Sequence, residues 1–337
     1  MHPVAGLARA ARFGRGALFA LAAALSLAAS SGALAQSWPA RTITAVVPFA
    51  AGNAIDAVGR IVMDELSRRL GQPIVIENRA GAGGTVGAGA VARAAPDGHT
   101  ILLYSSSFSI SHSIHANLPY DTFRDFIPVI PFGVQPTVLV SAPSKGFKTL
   151  GELVSAAKAK PGAMSFASAG IGAASQMAAE RFRISAGFEA LHIPFRGPTD
   201  ALTAAMTGQV DFYFLPIAAA LPLINDGKLT ALAVSTAKRA SALPDVPTTT
   251  EAGLKDSSYD FWVGIFVPAK TPPEIVARLH DETQKALDAP LVKDRYAKLG
   301  VEPLRMTQEE FTVYFRRDVE QIAQLVKAAK IPTQERN

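Results

Sequence analysis

Thr42-Ile43-Thr44-Ala45-Val46-Val47-Pro48-Phe49-Ala50-Ala51-Gly52-Asn53-Ala54-Ile55-Asp56 is the stretch on which the fold turns. Residues 42–48 form a short apolar run and predict a strand. From 56 to 70 the apolar residues Val58, Ile61, Val62, Leu66 and Leu70 recur at helical spacing. A loop of small residues joins the two. The same alternation continues along the chain, with strands predicted at 73–77, 100–104, 138–141, 164–167, 190–193, 210–214 and 230–235. Helical patterns cover 85–94, 150–159, 173–186 and 199–207. Alternation of this kind predicts an α/β fold of parallel sheets with helices on both faces.

Two segments break the rhythm. Residues 126–140 are extended and punctuated by Pro128, Pro131 and Pro136, and 259–268 is an aromatic-rich run after a loop containing Pro244, Pro247 and Gly253. Each reads as a crossing between domains, so that both chain ends build one domain and the middle builds the other, with a cleft that can open and close between them. Helices are predicted at 274–287 and 308–329, with a short strand near 301–304. Thr149 with Glu152, Thr271 with Glu274 and Thr307 with Glu310 have capping-box spacing at three helix starts.

Composition excludes several classes of function. Of 337 residues, 49% are hydrophobic and 18% charged, enough apolar surface to rule out disorder. There is no cysteine, which removes disulfides, thiolate metal sites and cysteine nucleophiles. The net charge of +5 owes much to Arg9, Arg12 and Arg15 in a first segment that holds no acid, so the remainder carries no nucleic-acid footprint. That first segment is basic, then apolar from residue 17 to 29, and ends in Ala33-Leu34-Ala35. It reads as a secretory signal at 1–35, its apolar run being too short to span a bilayer.

No motif marks a catalyst. Gly81-Ala82-Gly83-Gly84-Thr85-Val86-Gly87 has Val86 where a dinucleotide fingerprint needs glycine, and it reads as a tight strand-to-helix turn. His112 and His115 lack the Glu and third ligand of a zinc site and read as solvated loop histidines. No G-x-S-x-G elbow occurs. What remains are three loops at the carboxyl ends of strands, 48–56, 168–175 and 195–199, where backbone N–H groups and helix N-termini suit an anion.

Taken in order, residues 48–56, Glu77-Asn78-Arg79-Ala80-Gly81-Ala82-Gly83-Gly84, Pro96-Asp97-Gly98-His99-Thr100, Gly208-Gln209-Val210-Asp211 and Leu243-Pro244-Asp245-Val246-Pro247-Thr248 resemble the Bug proteins. So do Glu251-Ala252-Gly253 and Val267-Pro268-Ala269 with Thr271-Pro272. These are extracytoplasmic solute receptors of tripartite tricarboxylate transporters. The resemblance implies a two-domain periplasmic binding-protein fold, a type II-like Venus flytrap with two crossover strands and a central ligand cleft. Its domains would be 37–136 plus 260–337, and 137–259. It implies a periplasmic monomer without cofactor, metal or catalysis, which captures a mono-, di- or tricarboxylate, aromatic ones included, for membrane permease subunits. A secreted hydrolase and a sensory binding module are the alternatives. Carried over by position, the solute-binding residues are Phe49, Ala51, Gly52, Asn53 and Asp56; Ser168, Gly172, Ala173 and Ser175; and Phe195, Arg196 and Gly197, with Asp211 orienting the cleft wall. There are two departures from the family's habit: Asn53 follows Gly52 where a second glycine is common, and Ala173 and Gln176 stand where a hydroxyl residue and a histidine are common.

Overall fold

A computed structural model of the chain describes residues 38–333. The basic and apolar N-terminal segment and its expected cleavage site lie outside the described residues. Strand β1 (Ile43–Val47) is almost wholly buried, and α1 (Ala54–Leu70) follows it. The helix starts where it does because the Asn53 side chain accepts from the N–H groups of Ile55 and Asp56, at 2.8 and 3.2 Å. It ends where Gly71 turns left-handed, at φ 70°. The apolar stripe foreseen from Val58 to Leu70 is the buried face. Strand β2 (Ile74–Asn78), α2 (Thr85–Ala92), β3 (Thr100–Ser105), α3 (Ser107–Ile114) and β4 (Phe126–Gln135) complete the first part of the chain.

Pro136 alone separates β4 from β5 (Thr137–Ser141), where the chain enters a second sheet. There follow α4 (Leu150–Ala159), β6 (Met164–Ser168), α5 (Ala174–Ala186), β7 (Ala190–Pro194), α6 (Pro198–Met206), β8 (Phe212–Pro216), α7 (Ile217–Asn225) and β9 (Thr230–Val234). The chain then returns through β10 (Phe261–Pro268) and closes with α8 (Pro273–Ala286), α9 (Pro290–Leu299) and α10 (Gln308–Ala328).

The strand orders are β2-β1-β3-β10-β4 and β7-β6-β8-β5-β9. Both sheets are mixed, which corrects the expectation of parallel sheets. β1, β2 and β3 run parallel, as do β6, β7 and β8, but β10 is antiparallel to β3 and β4, and β5 to β8 and β9. The chain leaves the first sheet along β4 and returns to it along β10, and it enters the second along β5 and leaves it after β9, so the outgoing and returning strands of each sheet run in opposite directions. The strand expected at 301–304 is only a single bridge from Glu302 to Val134. Thr307 forms its capping box and Thr149 caps α4, whereas the Thr271 hydroxyl donates to the Pro268 carbonyl instead and Pro272 precedes the helix.

Helix α10 ties the two sheets together. Phe311, Phe315 and Val319 lie in the aromatic core of the first sheet, with Phe108, Trp262 and Phe266. One and two turns later, Ile322, Leu325 and Val326 lie in the core of the second, with Phe166, Phe182 and Phe212. Ile110 and Ile114 of α3 belong to that second core too. No helix among the described residues is long and apolar enough to cross a membrane.

Candidate functional site

The carboxyl ends of β1 and β6 and the start of α3 meet around a cavity of about 230 Å³. Phe49, Gly83, Ser107, Ile110, Ser111, Ile114 and His115 line it from one side, and Ala169, Gly170, Ile171, Gly172 and Ala173 from the other. No carboxylate and no Lys or Arg is among them.

The first loop is held from within. Gly52, at φ 81°, donates its N–H to Asp56 Oδ2 at 2.8 Å. Asp56 is 3% exposed and also accepts from both arms of Arg60, at 2.9 and 3.0 Å, and from Asn78 Nδ2 at 3.0 Å. Burial pushes this carboxyl up, but the bonds from Arg60, Gly52 and Asn78 outweigh it and hold Asp56 below its ordinary value. Asn78 also donates to the Phe49 carbonyl, and Asn53 Nδ2 donates to that of Ala50. Phe49 is thus presented to the cavity, its ring edge-on to Tyr104 at 5.7 Å. Ala51, Gly52, Asn53 and Asp56 shape the loop without lining the cavity.

The second loop is held by a chain of buried polar groups. Gly172 donates its N–H to Gln176 Oε1 at 2.7 Å, which fixes the amide so that Gln176 Nε2 faces His192 Nδ1 at 3.3 Å. Glu180, one turn along the same helix, pairs with Arg183. An amide nitrogen only donates, so His192 Nδ1 is the acceptor and the ring proton sits on Nε2. That Nε2–H donates to Ser168 Oγ at 2.6 Å, and the Ser168 hydroxyl donates to the Gly170 carbonyl at 3.0 Å. Ser175 Oγ accepts from the Ala169 N–H at 3.1 Å. Phe195 joins this loop, its N–H donating to the Ser168 carbonyl at 2.9 Å. Arg196 is exposed, and Gly197 precedes α6 without a side-chain cap.

Asp211 does not join them. It stands before β8, where its carboxylate accepts from Lys145 Nζ and from the Ser165 N–H, both at 2.8 Å. That is the amino end of β8, so Asp211 fastens the far end of the sheet and does not orient the cleft wall. His112 and His115 are not solvated loop residues either: His112 lies in α3, bonded to Thr122 Oγ1 at 3.1 Å, and His115 caps that helix with its Nε2 buried. Burial lowers the pKa of both.

Sequence reading missed α3 altogether, and with it Ser107, Ile110, Ser111 and Ile114 of the cavity wall. Phe108 and Ile110 are spaced as in a strand, Ile110 and Ile114 as in a helix, so the period is ambiguous. The glycine string 81–84 is the tight turn expected, with Gly83 and Gly84 left-handed at φ 64° and 98°. A Cβ on Gly84 would fall 2.2 Å from the Tyr104 hydroxyl, which donates to the Gly83 carbonyl.

Residues 58–331 match the family model described as the tripartite tricarboxylate transporter family receptor. The chain belongs to this receptor family. Among solved structures, the periplasmic binding protein BugD is 34% identical, with a TM-score of 0.72 over 88% of this chain and all of the other. MatC from Rhodopseudomonas palustris, solved with bound malate, is 34% identical, with a TM-score of 0.71 over 86% of this chain and 100% of the other. Rpa4515 of R. palustris, solved with adipate, is 28% identical, with a TM-score of 0.75 over 88% and 99%. The two-domain periplasmic binding-protein fold is therefore the fold of this receptor, and its relatives are solute-binding proteins.

Proposed function

We propose that this receptor captures a small carboxylated solute between its two sheets and delivers it to the permease subunits of a tripartite tricarboxylate transporter. It acts in the periplasm as a monomer, after cleavage behind Ala35. Its domains are 37–136 plus 260–337, and 137–259, and the two crossings between them are the hinge. The observation that carries this reading is the wall of the cavity: it offers no carboxylate, Lys or Arg, its one ionisable group is His115, and α3 and α5 both begin there without a cap from the Ser106 or Ala173 side chain. Ser107 N–H is taken by Ser105 Oγ, but the positive end of each helix still faces a ligand that must bring its own negative charge. About 230 Å³ is below the roughly 300–1,000 Å³ of drug-sized sites, which favours a small acid. Malate and adipate in two related receptors support the dicarboxylate class.

One contact favours the hydrolase alternative, the 2.6 Å approach of Ser168 Oγ to His192 Nε2. The proton arrangement answers it. A general base needs a bare Nε2 facing the hydroxyl and a donor Nδ1–H behind it, and here the ring is reversed by Gln176. Ser168 is also fully buried. Binding without turnover is the better reading.

A thermal-shift and calorimetric panel of mono-, di- and tricarboxylates tests the proposal. At a hundredfold excess over Kd, a true solute stabilises the folded protein by about 2.7 kcal/mol. A panel that leaves the melting temperature unmoved throughout, malate and adipate included, refutes it.

A further inference from the structure

We propose that His192 is a positioning residue whose Nε2–H tautomer fixes the cavity loop 169–173 from beneath, acting through Ser168 at one end and Gln176 at the other. The inference rests on the reading of that cavity as the solute site. His192 is on β7, outside the three loops, and its ring stacks on Phe166 at 4.9 Å. The strand thereby supplies an imidazole beside Gln176.

Each bond in the chain has one possible direction. Gly172 N–H fixes the Gln176 oxygen, the Gln176 nitrogen fixes Nδ1 as acceptor, and Nε2–H leaves the Ser168 proton only the Gly170 carbonyl. Ser168, Gln176 and Glu180 are 0, 3 and 4% exposed, so water cannot substitute for a lost partner without opening the packing. Gly170 and Gly172 hold positive φ angles of 130° and 79°, conformations a free loop would visit only in part. The two pinned groups, Gly170 C=O and Gly172 N–H, bracket Ile171, so they determine how residues 169–173 face the cavity.

A second proton on the ring would sit on Nδ1 and point at the Gln176 amide nitrogen, two donors facing each other. Turning the amide would then set its NH₂ against Gly172 N–H. From α5 the Arg183 charge opposes protonation, Glu180 is engaged by Arg183, and β6 offers Phe166 and Ser168. Burial, with Arg183 second, pushes His192 down to about 4, so the neutral ring persists across physiological pH.

The test uses three readouts on the mature protein. Nitrogen-15 spectra of the imidazole at pH 7 are expected to show a protonated Nε2 and a bare Nδ1; a protonated Nδ1 overturns the proposal. Amide exchange at Gly172 in solute-free protein is expected to accelerate about tenfold in His192→Phe, which keeps the stacking but not the bonds. His192→Gln, which still donates and accepts, is expected to recover most of the protection. Gly52, tied to Asp56, serves as the unaffected reference. Equal exchange at Gly172 in all three proteins overturns the proposal; if His192→Phe is poorly folded, its Gly52 amide accelerates as well, and failure of His192→Gln to differ from a correctly folded control such as Arg196→Ala then overturns it. Calorimetry with malate and adipate should show His192→Phe about tenfold weaker than wild type, and unchanged affinity overturns the positioning role. If wild type binds neither acid, the solute reading fails, while the spectra and exchange rates still decide whether His192 holds the loop.

Discussion

Gly172 and Gly52 share a left-handed backbone, φ 79° and 81°, and both give their N–H groups to a side chain in the first turn of the helix that follows. Neither N–H is therefore turned to a solute, and the two glycines differ in what surrounds them. A Cβ on Gly172 would stand 2.9 Å from Ile114 Cδ1, across the cavity, while one on Gly52 meets nothing within 4 Å. We expect Gly52→Ala to cost about 1 kcal/mol, the backbone penalty alone. Gly172→Ala should cost as much again by displacing Ile114 and should weaken solute binding more than Gly52→Ala; thermal unfolding and calorimetry on both variants measure this. Equal effects would mean that Ile114 does not set the width of the cavity. Asp56→Ala leaves Gly52 N–H and Asn78 without their acceptor and should destabilise by about 1–3 kcal/mol in denaturant titration. Exposed Arg196 is the contrast: Arg196→Ala should move stability by less than about 0.5 kcal/mol.

At the scale of elements, α10 carries the most consequence for the whole. Its capping box at Thr307 and Glu310 sets where the helix begins, and hence which turn meets which core. Thr307→Ala should cost about 1 kcal/mol of unfolding free energy. Phe315, packed 5.1 Å from Phe266 and 5.4 Å from Phe108, should cost about 3–5 kcal/mol as Phe315→Ala. Equilibrium unfolding read by both intrinsic fluorescence and far-ultraviolet circular dichroism distinguishes a local loss from a global one, and coincident curves are expected because the helix belongs to both cores. The elements that sequence reading left out are instructive. Helix α7 carries Pro222 in its interior and α3 has an ambiguous period, so local propensity gave no helix in either. Tertiary burial of Ile217 and Ala220 in one, and of Phe108 and Ile114 in the other, supplies what propensity lacks.

Across the whole molecule, buried titratable groups at two distant places pull stability in opposite directions with pH. His192 lies at about 4, below its unfolded value, so its contribution is complete above pH 6.5 and is lost as pH falls through 4. Asp260, at the second crossing, is pushed up to about 6 by burial and by Asp318, with Arg181 opposing. Its contribution is complete below pH 3.8 and is lost as pH rises through 6. The two slopes oppose each other between pH 4 and 6. We expect His192→Gln to be relatively more stable than wild type at pH 4 than at pH 7, and Asp260→Asn to show the reverse, in melting temperatures taken at unit steps. Parallel curves for all three proteins would count against both assignments. The sequence by itself determined the strand–helix alternation, the two crossings and the strand-end loops, because these depend on residue periodicity and on turn chemistry within a few neighbours. It also carried the family through motifs that recur in order along the chain. Only the tertiary structure decided that both sheets are mixed, that Asp211 belongs to the far end of its strand, that α3 walls the cavity, and that His192 lies beneath the second loop. Those facts depend on which distant segments pair and on which donors are left for each acceptor, and no local pattern encodes that.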